Sequence, residues 1–233
     1  MISNPIGILG GSFDPVHNGH VELAREVQRR CGFKPLWIVP TKQPPHKPPY
    51  EISDPHRLEM VRLAFDGVPE ARISNFEMES DGPSYAIRTI EYFTRQHPGS
   101  SIHFILGEDA FHDLPKWHAF PDVLEACSYV VASRAGWDQQ PTASTLSKLS
   151  RRLEQLTKAG LLRVLEDADP APFARVFATR TGTRVCVLEA RLPEISSTAI
   201  RVRLQLGENV TDLVPSAVER YLKTNNLYGT KNS

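Results

Sequence analysis

No apolar run in this 233-residue sequence approaches the ~20 residues needed to span a bilayer, which points to a soluble chain. Cysteine is scarce. Cys31, Cys127 and Cys186 are odd in number and far apart, which suits neither a disulfide framework nor a zinc site. Net charge is absent too: 27 Lys and Arg offset 27 Asp and Glu, and no overall field draws nucleic acid or a membrane surface. The opening Met1-Ile2-Ser3-Asn4-Pro5 lacks the basic stretch and apolar core of a leader. Together these absences predict a cytoplasmic chain whose partner is a small molecule. The Gly-x-Gly-x-x-Gly fingerprint and the loop ending Gly-Lys-Ser/Thr are missing as well, which excludes the two commonest phosphate loops.

What is present is Gly10-Gly11-Ser12-Phe13-Asp14-Pro15-Val16-His17-Asn18-Gly19-His20, set between the apolar run Ile6 to Leu9 and the amphipathic stretch Val21 to Arg30. Leu23, Ala24, Val27 and Cys31 recur at helical spacing, so a helix is expected to begin near Val16 to Asn18 and to carry His17 and His20 on one face of its first turn. Two glycines allow close backbone approach to a ligand, and a helix N-terminus attracts anions. Either histidine alone reads as a surface residue. The pair in a strand, turn, helix setting reads as a nucleotide-phosphate site.

Ile6 to Leu9, Leu36 to Val39, Arg72 to Phe76, Ile102 to Leu106 and Tyr129 to Ala132 read as short buried strands separated by helical patterns. That alternation predicts an α/β fold, a Rossmann-like, doubly wound, mostly parallel sheet with helices on both faces. Length suits a single domain over 1–233. Ligands of such sheets sit at the carboxyl ends of the strands, so the loops starting at Gly10, Pro40, Gly107 and Ser133 are expected to converge. The second of these, Pro40 to Tyr50, has five prolines with Lys42, His46 and Lys47, and reads as a stiff basic lid or a plain proline-rich connector. Asp54 and Pro55 suit a helix start, with His56 and Arg57 expected at the surface. Another helix should open after Gly82-Pro83-Ser84, burying Ile87, Ile90 and Phe93, with Ser84 explicable as a cap.

The eleven-residue signature resembles that of the His-x-Gly-His nucleotidyltransferases, in the version found in bacterial nicotinate-nucleotide adenylyltransferases. The resemblance implies that ATP and nicotinate mononucleotide are the partners: the acceptor's phosphate attacks the ATP α-phosphate and releases pyrophosphate, a step of NAD biosynthesis. It implies Mg²⁺ carried with ATP and no protein-bound metal. His17, His20 and Arg201 inherit the catalytic role. Gly10, Gly11, Ser12, Phe13, His46, Gly107, Asp109, Ile195, Ser196 and Ser197 inherit ATP binding, Asp109 as partner of the ribose hydroxyls. Ser84, Tyr85, Trp117, His118 and Arg134 inherit acceptor binding, Trp117 by stacking on the pyridine ring. Thr89 follows from the same motif more weakly. His118 departs from the tyrosine frequent in the family, so there only a backbone N–H is carried over. Each has a plainer alternative: Trp117 belongs to an aromatic stripe with Phe111, Leu114 and Phe120, Asp109 suits a helix cap, and Arg134 suits a surface.

Ile195-Ser196-Ser197-Thr198-Ala199-Ile200-Arg201 matches the family's second motif, and its three hydroxyls exceed what one N-cap needs. Ser196, Ser197 and Arg201 are thereby expected to grip the β- and γ-phosphates. Gly207 suits the end of that helix, and Pro215 to Leu222 reads as a closing one within a C-terminal helical segment, 196–225. The stretch 135–192 is longer than usual for the family; a helix over Thr142 to Thr157 and a strand over Arg184 to Glu189 are legible in it, and it reads as a structural or homo-oligomer-forming insert. Other readings stay open: nicotinamide mononucleotide or phosphopantetheine as acceptor, or a non-catalytic nucleotide sensor. Aminoacyl-tRNA ligation is disfavoured, because no Lys-Met-Ser-Lys-Ser segment and no basic excess is present.

Overall fold

A computed structural model of the protein describes residues 4–45, 50–134, 148–166 and 171–229. Its elements begin with β1 (Ile6–Gly11), α1 (Asn18–Cys31), β2 (Leu36–Pro40), α2 (Asp54–Phe65), β3 (Ala71–Ile73), α3 (Phe76–Glu79) and α4 (Ala86–Gln96). They continue with β4 (Ile102–Gly107), α5 (Glu108–His112), a 3₁₀ turn (Leu114–Lys116), α6 (Asp122–Glu125), β5 (Ser128–Arg134) and α7 (Lys148–Lys158). Last come β6 (Leu162–Val164), β7 (Arg175–Thr179), β8 (Arg184–Ala190), α8 (Ser197–Gln205), α9 (Ser216–Thr224) and a 3₁₀ turn (Leu227–Gly229). The eight strands form one mostly parallel sheet, the α/β class that the alternation of apolar runs predicts. Among the described residues, no helix is long and apolar enough to cross a membrane.

The chain divides into two compact units. The first comprises Met1–Leu9, Arg30–Lys34 and Tyr85–Arg191. In it β1, β4, β5 and β8 run parallel in that order, with Ile8 opposite Phe104, Val130 opposite both Ile105 and Cys186, and β7 and β6 completing the edge antiparallel. Ile8, Tyr129, Val130 and Val131 are fully buried, which is why these strands read as continuous apolar runs and not as alternating ones. α7 buries Leu149, Leu153 and Leu156, one stripe of an amphipathic helix. The stretch 135–192 thus supplies three strands, of which only β8 is legible in the sequence. β6 has three residues, with Leu162 buried and Arg163 and Val164 exposed, too short to show a period.

The second unit comprises Gly10–Arg29, Pro35–Ser84 and Leu192–Ser233. Its strands β2 and β3 pair in parallel from Leu36↔Ala71 to Ile38↔Ile73. β3 stops short of the expected Phe76: the Ser74 hydroxyl accepts from the Phe76 N–H at 3.3 Å and turns the chain into α3, a side-chain bond that competes with the ladder. At the start of α2, Ser53 and not Asp54 occupies the N-cap position. α2 packs on α9, where His56 Nδ1 and the Tyr221 hydroxyl are 2.9 Å apart.

Candidate active site

β1 runs on through Gly11, two residues past the expected end. The chain then turns back on itself: Phe13 takes a left-handed φ of 47°, and its ring lies where a Cβ on Gly11 would fall, 2.9 Å from the ring's Cζ. Only glycine fits under that ring. Phe13 is itself 1% exposed and meets His20 edge-on at 4.9 Å and Phe65 at 5.9 Å. Its side chain therefore supports a histidine from below. Gly10 and Ser12 are half-buried beside it.

α1 begins at Asn18, so His17 is the residue before the helix and not part of its first turn. The His17 carbonyl accepts from the N–H groups of His20 and Val21 at 2.9 and 3.3 Å. Its own N–H donates to His20 Nδ1 at 3.2 Å, which leaves the proton of a neutral His20 on Nε2. The two rings stack, with centroids 3.7 Å apart and 24° between planes. Burial pushes His17 down to about 4. His20 is held well below its ordinary value by burial and then by repulsion from His17. Near neutral pH both rings are therefore uncharged N–H donors at the start of a helix. His17 Nδ1 is buried and has no partner among the described residues.

The second motif lies against this loop within the same unit. Ser196 caps α8 by accepting from the Ala199 N–H at 3.1 Å. Ser197 donates to the Pro15 carbonyl at 2.9 Å. The Ser197 proton is thus engaged inside the protein, whereas Ser196 only accepts and keeps its O–H on an exposed side chain; beside it α8 offers an anion its first N–H groups, which have no intrahelical acceptor. Ile195 is half-buried just ahead of them. Arg201 Nη1 donates to the Asp14 carbonyl at 2.6 Å and lies 3.5 Å from the Asp14 carboxylate. Its Nη2 is 3.4 Å from the Thr198 hydroxyl, and its Nε is 4.0 Å from Glu51.

Two contributors were not legible. Arg57, expected at the surface, is 0% exposed. It donates from Nη1 to the carbonyls of Ser12 at 2.8 Å and Thr41 at 2.7 Å, pairs with Asp54, and lies 3.9 Å from the centre of the Tyr50 ring. The Tyr50 hydroxyl in turn meets Ser12 Oγ at 2.9 Å. A guanidinium can satisfy two backbone carbonyls and a carboxylate at once, and here it ties the first loop to the second. The other is Tyr228, whose hydroxyl donates to the buried Asp14 carboxylate. Ser84 is also not a cap, since Tyr85 takes the N-cap position of α4; its hydroxyl accepts from the N–H groups of Lys42 and Gln43, both at 3.2 Å. Lys42 donates to the Ser80 carbonyl at 2.8 Å. His46 and Lys47 lie outside the described residues.

The first unit carries the other expected residues. Gly107 ends β4 at the N-cap position of α5, and a Cβ there would meet nothing within 4 Å. Glu108 accepts from the Ser133 hydroxyl at 3.2 Å, whereas Asp109 is exposed, 3.8 Å from Lys148. Trp117 is half-buried, edge-on to Phe104 at 6.1 Å. Its companions Phe111 and Leu114 are fully buried, so the stripe is core up to Trp117. His118 is exposed and stacks on Tyr85, with centroids 4.1 Å apart and 22° between planes. Thr89 is buried with Ile90 and Phe93 on the inner face of α4, and Ile87 only partly so. Arg134 closes β5, and its side chain lies outside the described residues.

Residues 8–203 match the family model described as cytidylyltransferase-like. A "Probable nicotinate-nucleotide adenylyltransferase" of Bacillus pumilus is 34% identical over 224 residues, covering 96% of this chain and 97% of that protein. One of the same name from Pelobacter propionicus is 35% identical, again over 224 residues, 96% of this chain and 97% of its own length. Among solved structures, Plasmodium falciparum nicotinic acid mononucleotide adenylyltransferase complexed with NaAD superposes with a TM-score of 0.70 over 99% of this chain and 100% of that one, at 16% identity. That last likeness is one of fold.

Proposed function

Because the chain belongs to the cytidylyltransferase-like family and, within it, to the nicotinate-nucleotide adenylyltransferases, we propose that it joins ATP and nicotinate mononucleotide to give nicotinate adenine dinucleotide and pyrophosphate. The observation that carries this reading is the pair of stacked histidines, held neutral by burial, in one unit with the start of α8 and Arg201. An oxygen of the acceptor's phosphate forms the new bond to the α-phosphorus, and the bond from that phosphorus to the bridging oxygen breaks with pyrophosphate as leaving group. The attacking group is already an anion, so no general base is required; the task is alignment of two like charges and stabilisation of the charge that develops.

In this reading His20 donates from Nε2 to the phosphate chain, His17 beside it fixes that orientation, and the N–H groups of α8 and the unclaimed edge of Arg201 take the leaving pyrophosphate. A neutral imidazole still carries one N–H and can donate it to a phosphate oxygen. Asp109 is assigned to the adenosine ribose, and Trp117, Tyr85, His118, Ser84 and Arg134 to the acceptor. Mg²⁺ is assigned to the phosphates of ATP, with which it enters as part of the substrate. A cytoplasmic setting and action without nucleic acid complete the proposal.

The test is pyrophosphate release with ATP and three acceptors: nicotinate mononucleotide, nicotinamide mononucleotide and phosphopantetheine. Nicotinate mononucleotide should be preferred over the amide by about 10²-fold in kcat/KM, because a site that donates to a carboxylate leaves the amide's NH₂ facing N–H groups. Equal use of both pyridine nucleotides would sink the acceptor assignment, and no release with any acceptor would sink the activity.

A further inference from the structure

Asp14 and Tyr228 are both nearly buried, at 5% exposure each, and are 214 residues apart in sequence. The tyrosine donates to one carboxylate oxygen, Oδ1, while the other, Oδ2, faces Arg201 Nη1 at 3.5 Å. Tyr228 adopts a left-handed backbone conformation, φ 55° and ψ 26°, between Asn226 at φ 50° and Gly229 at φ 80°. A bulky residue there is an outlier that costs free energy and persists where surrounding contacts over-determine it. The turn packs on α8, the helix that carries Arg201.

We infer that Tyr228 is a positioning residue that sets Arg201 for the nucleotide by occupying one oxygen of Asp14. A carboxylate with two free oxygens takes a guanidinium as a bidentate fork. Such a fork would consume the edge of Arg201 that a phosphate needs. With Oδ1 bonded to the tyrosine, Asp14 holds Arg201 by its backbone carbonyl at 2.6 Å and by a single long carboxylate contact. Nε and Nη2 then keep only weak partners, Glu51 at 4.0 Å and Thr198 at 3.4 Å. Without the hydroxyl, the buried Oδ1 loses its donor and the guanidinium is the nearest replacement. Tyr228 itself touches no substrate. Its role rests on the proposed role of Arg201 toward the phosphates of ATP.

The experiment compares wild type, Tyr228→Phe, Arg201→Met and the double variant by calorimetric titration with Mg·ATP in the absence of acceptor, followed by steady-state kinetics. Tyr228→Phe keeps the ring and removes one oxygen. It should weaken ATP binding about tenfold, the scale of a lost hydrogen bond to a charged group, raise the KM for ATP likewise, and leave the KM for the acceptor within about twofold. In the Arg201→Met background the same change should alter ATP affinity less than about twofold, since the residue through which it acts is gone. Unchanged ATP affinity in a folded Tyr228→Phe, or equal effects in both backgrounds, would overturn the inference. A loss confined to melting temperature would do so as well, because it assigns the tyrosine to packing alone. Should Tyr228→Phe fail to fold, Asp14→Asn is titrated instead: its amide nitrogen cannot accept from the guanidinium, so no fork forms and ATP affinity should not fall, whereas a loss of about tenfold would overturn the idea. Wild type that binds ATP but makes no dinucleotide would overturn the proposed function while the Tyr228 titrations still decide the inference.

Discussion

The imidazole of His17 lies flat against that of His20, and burial keeps both from holding a proton near neutral pH. A fold that houses a neutral pair so tightly becomes sensitive to acid. From about pH 6.5, where an unfolded histidine titrates, down to about 4 for His17, the unfolded chain binds a proton that the folded chain refuses. The stabilising difference is fully present above that window and is lost as pH falls through it.

His17→Asn should therefore blunt the acid sensitivity. With about 1.36 kcal/mol for each pH unit that separates the folded from the unfolded titration, the contribution of His17 is on the order of 3 kcal/mol. Denaturant unfolding of wild type and variant at about pH 7 and about pH 4.5 reads it as a difference of differences. Identical losses in the two proteins would place the acid sensitivity elsewhere.

Gly19→Ala should separate stability from turnover. Alanine favours a helical turn over glycine by up to about 1 kcal/mol, so the melting temperature of this half-buried position should hold or rise. The new Cβ, however, would sit 3.1 Å from His17 Cε1 and Nδ1, and the ring has His20 on its other face. A shift of a few tenths of an ångström in a positioned donor costs about tenfold in kcat. Turnover equal to wild type would mean that the position of the His17 ring is immaterial to the reaction.

Arg57→Met should cost about 3 kcal/mol of stability, because the carbonyls of Ser12 and Thr41 lose a shared buried donor. Thermal unfolding measures this, and a change below about 0.5 kcal/mol, the scale of an ordinary surface substitution, would mean that the clamp is idle.

Trp117→Ala should raise the KM for the acceptor and leave ATP affinity within about twofold, since the residue is only partly buried and loss of a stacking face removes about 1–3 kcal/mol of base contact. Titration of each substrate separately distinguishes the outcomes. An ATP defect would move the residue to the adenosine side.

The parts of the site that were legible are local in sequence. The helix start at Asn18 and the capped start of α8 follow from turn, cap and period signals within a dozen residues. What escaped was held over distance. Arg57 reads as a surface charge because arginine is rarely fully buried, and only the fold reveals that Ser12, 45 residues away, offers its carbonyl. Tyr228 is illegible for the same reason. The hydroxyls of Ser196 and Ser197 have partners that the sequence did not show: the first accepts the cap bond from the Ala199 N–H and the second donates to the Pro15 carbonyl. β6, an edge strand of three residues, and β7, five residues between β8 and β6, went unseen because each is too short to carry much pattern of its own.

The carbonyls of Asp14 and Pro15 are fastened by Arg201 and Ser197, groups 187 and 182 residues further along. The unit that contains them is completed only by Leu192–Ser233, after Tyr85–Arg191 of the other unit has been laid down. During synthesis the ribosome therefore delivers the loop first and the groups that fasten its carbonyls long afterwards. At ~5–20 residues per second, that wait lasts from roughly ten seconds to half a minute. For that interval the growing polypeptide carries the signature loop with its carbonyls unfastened, until Ser197 and Arg201 emerge.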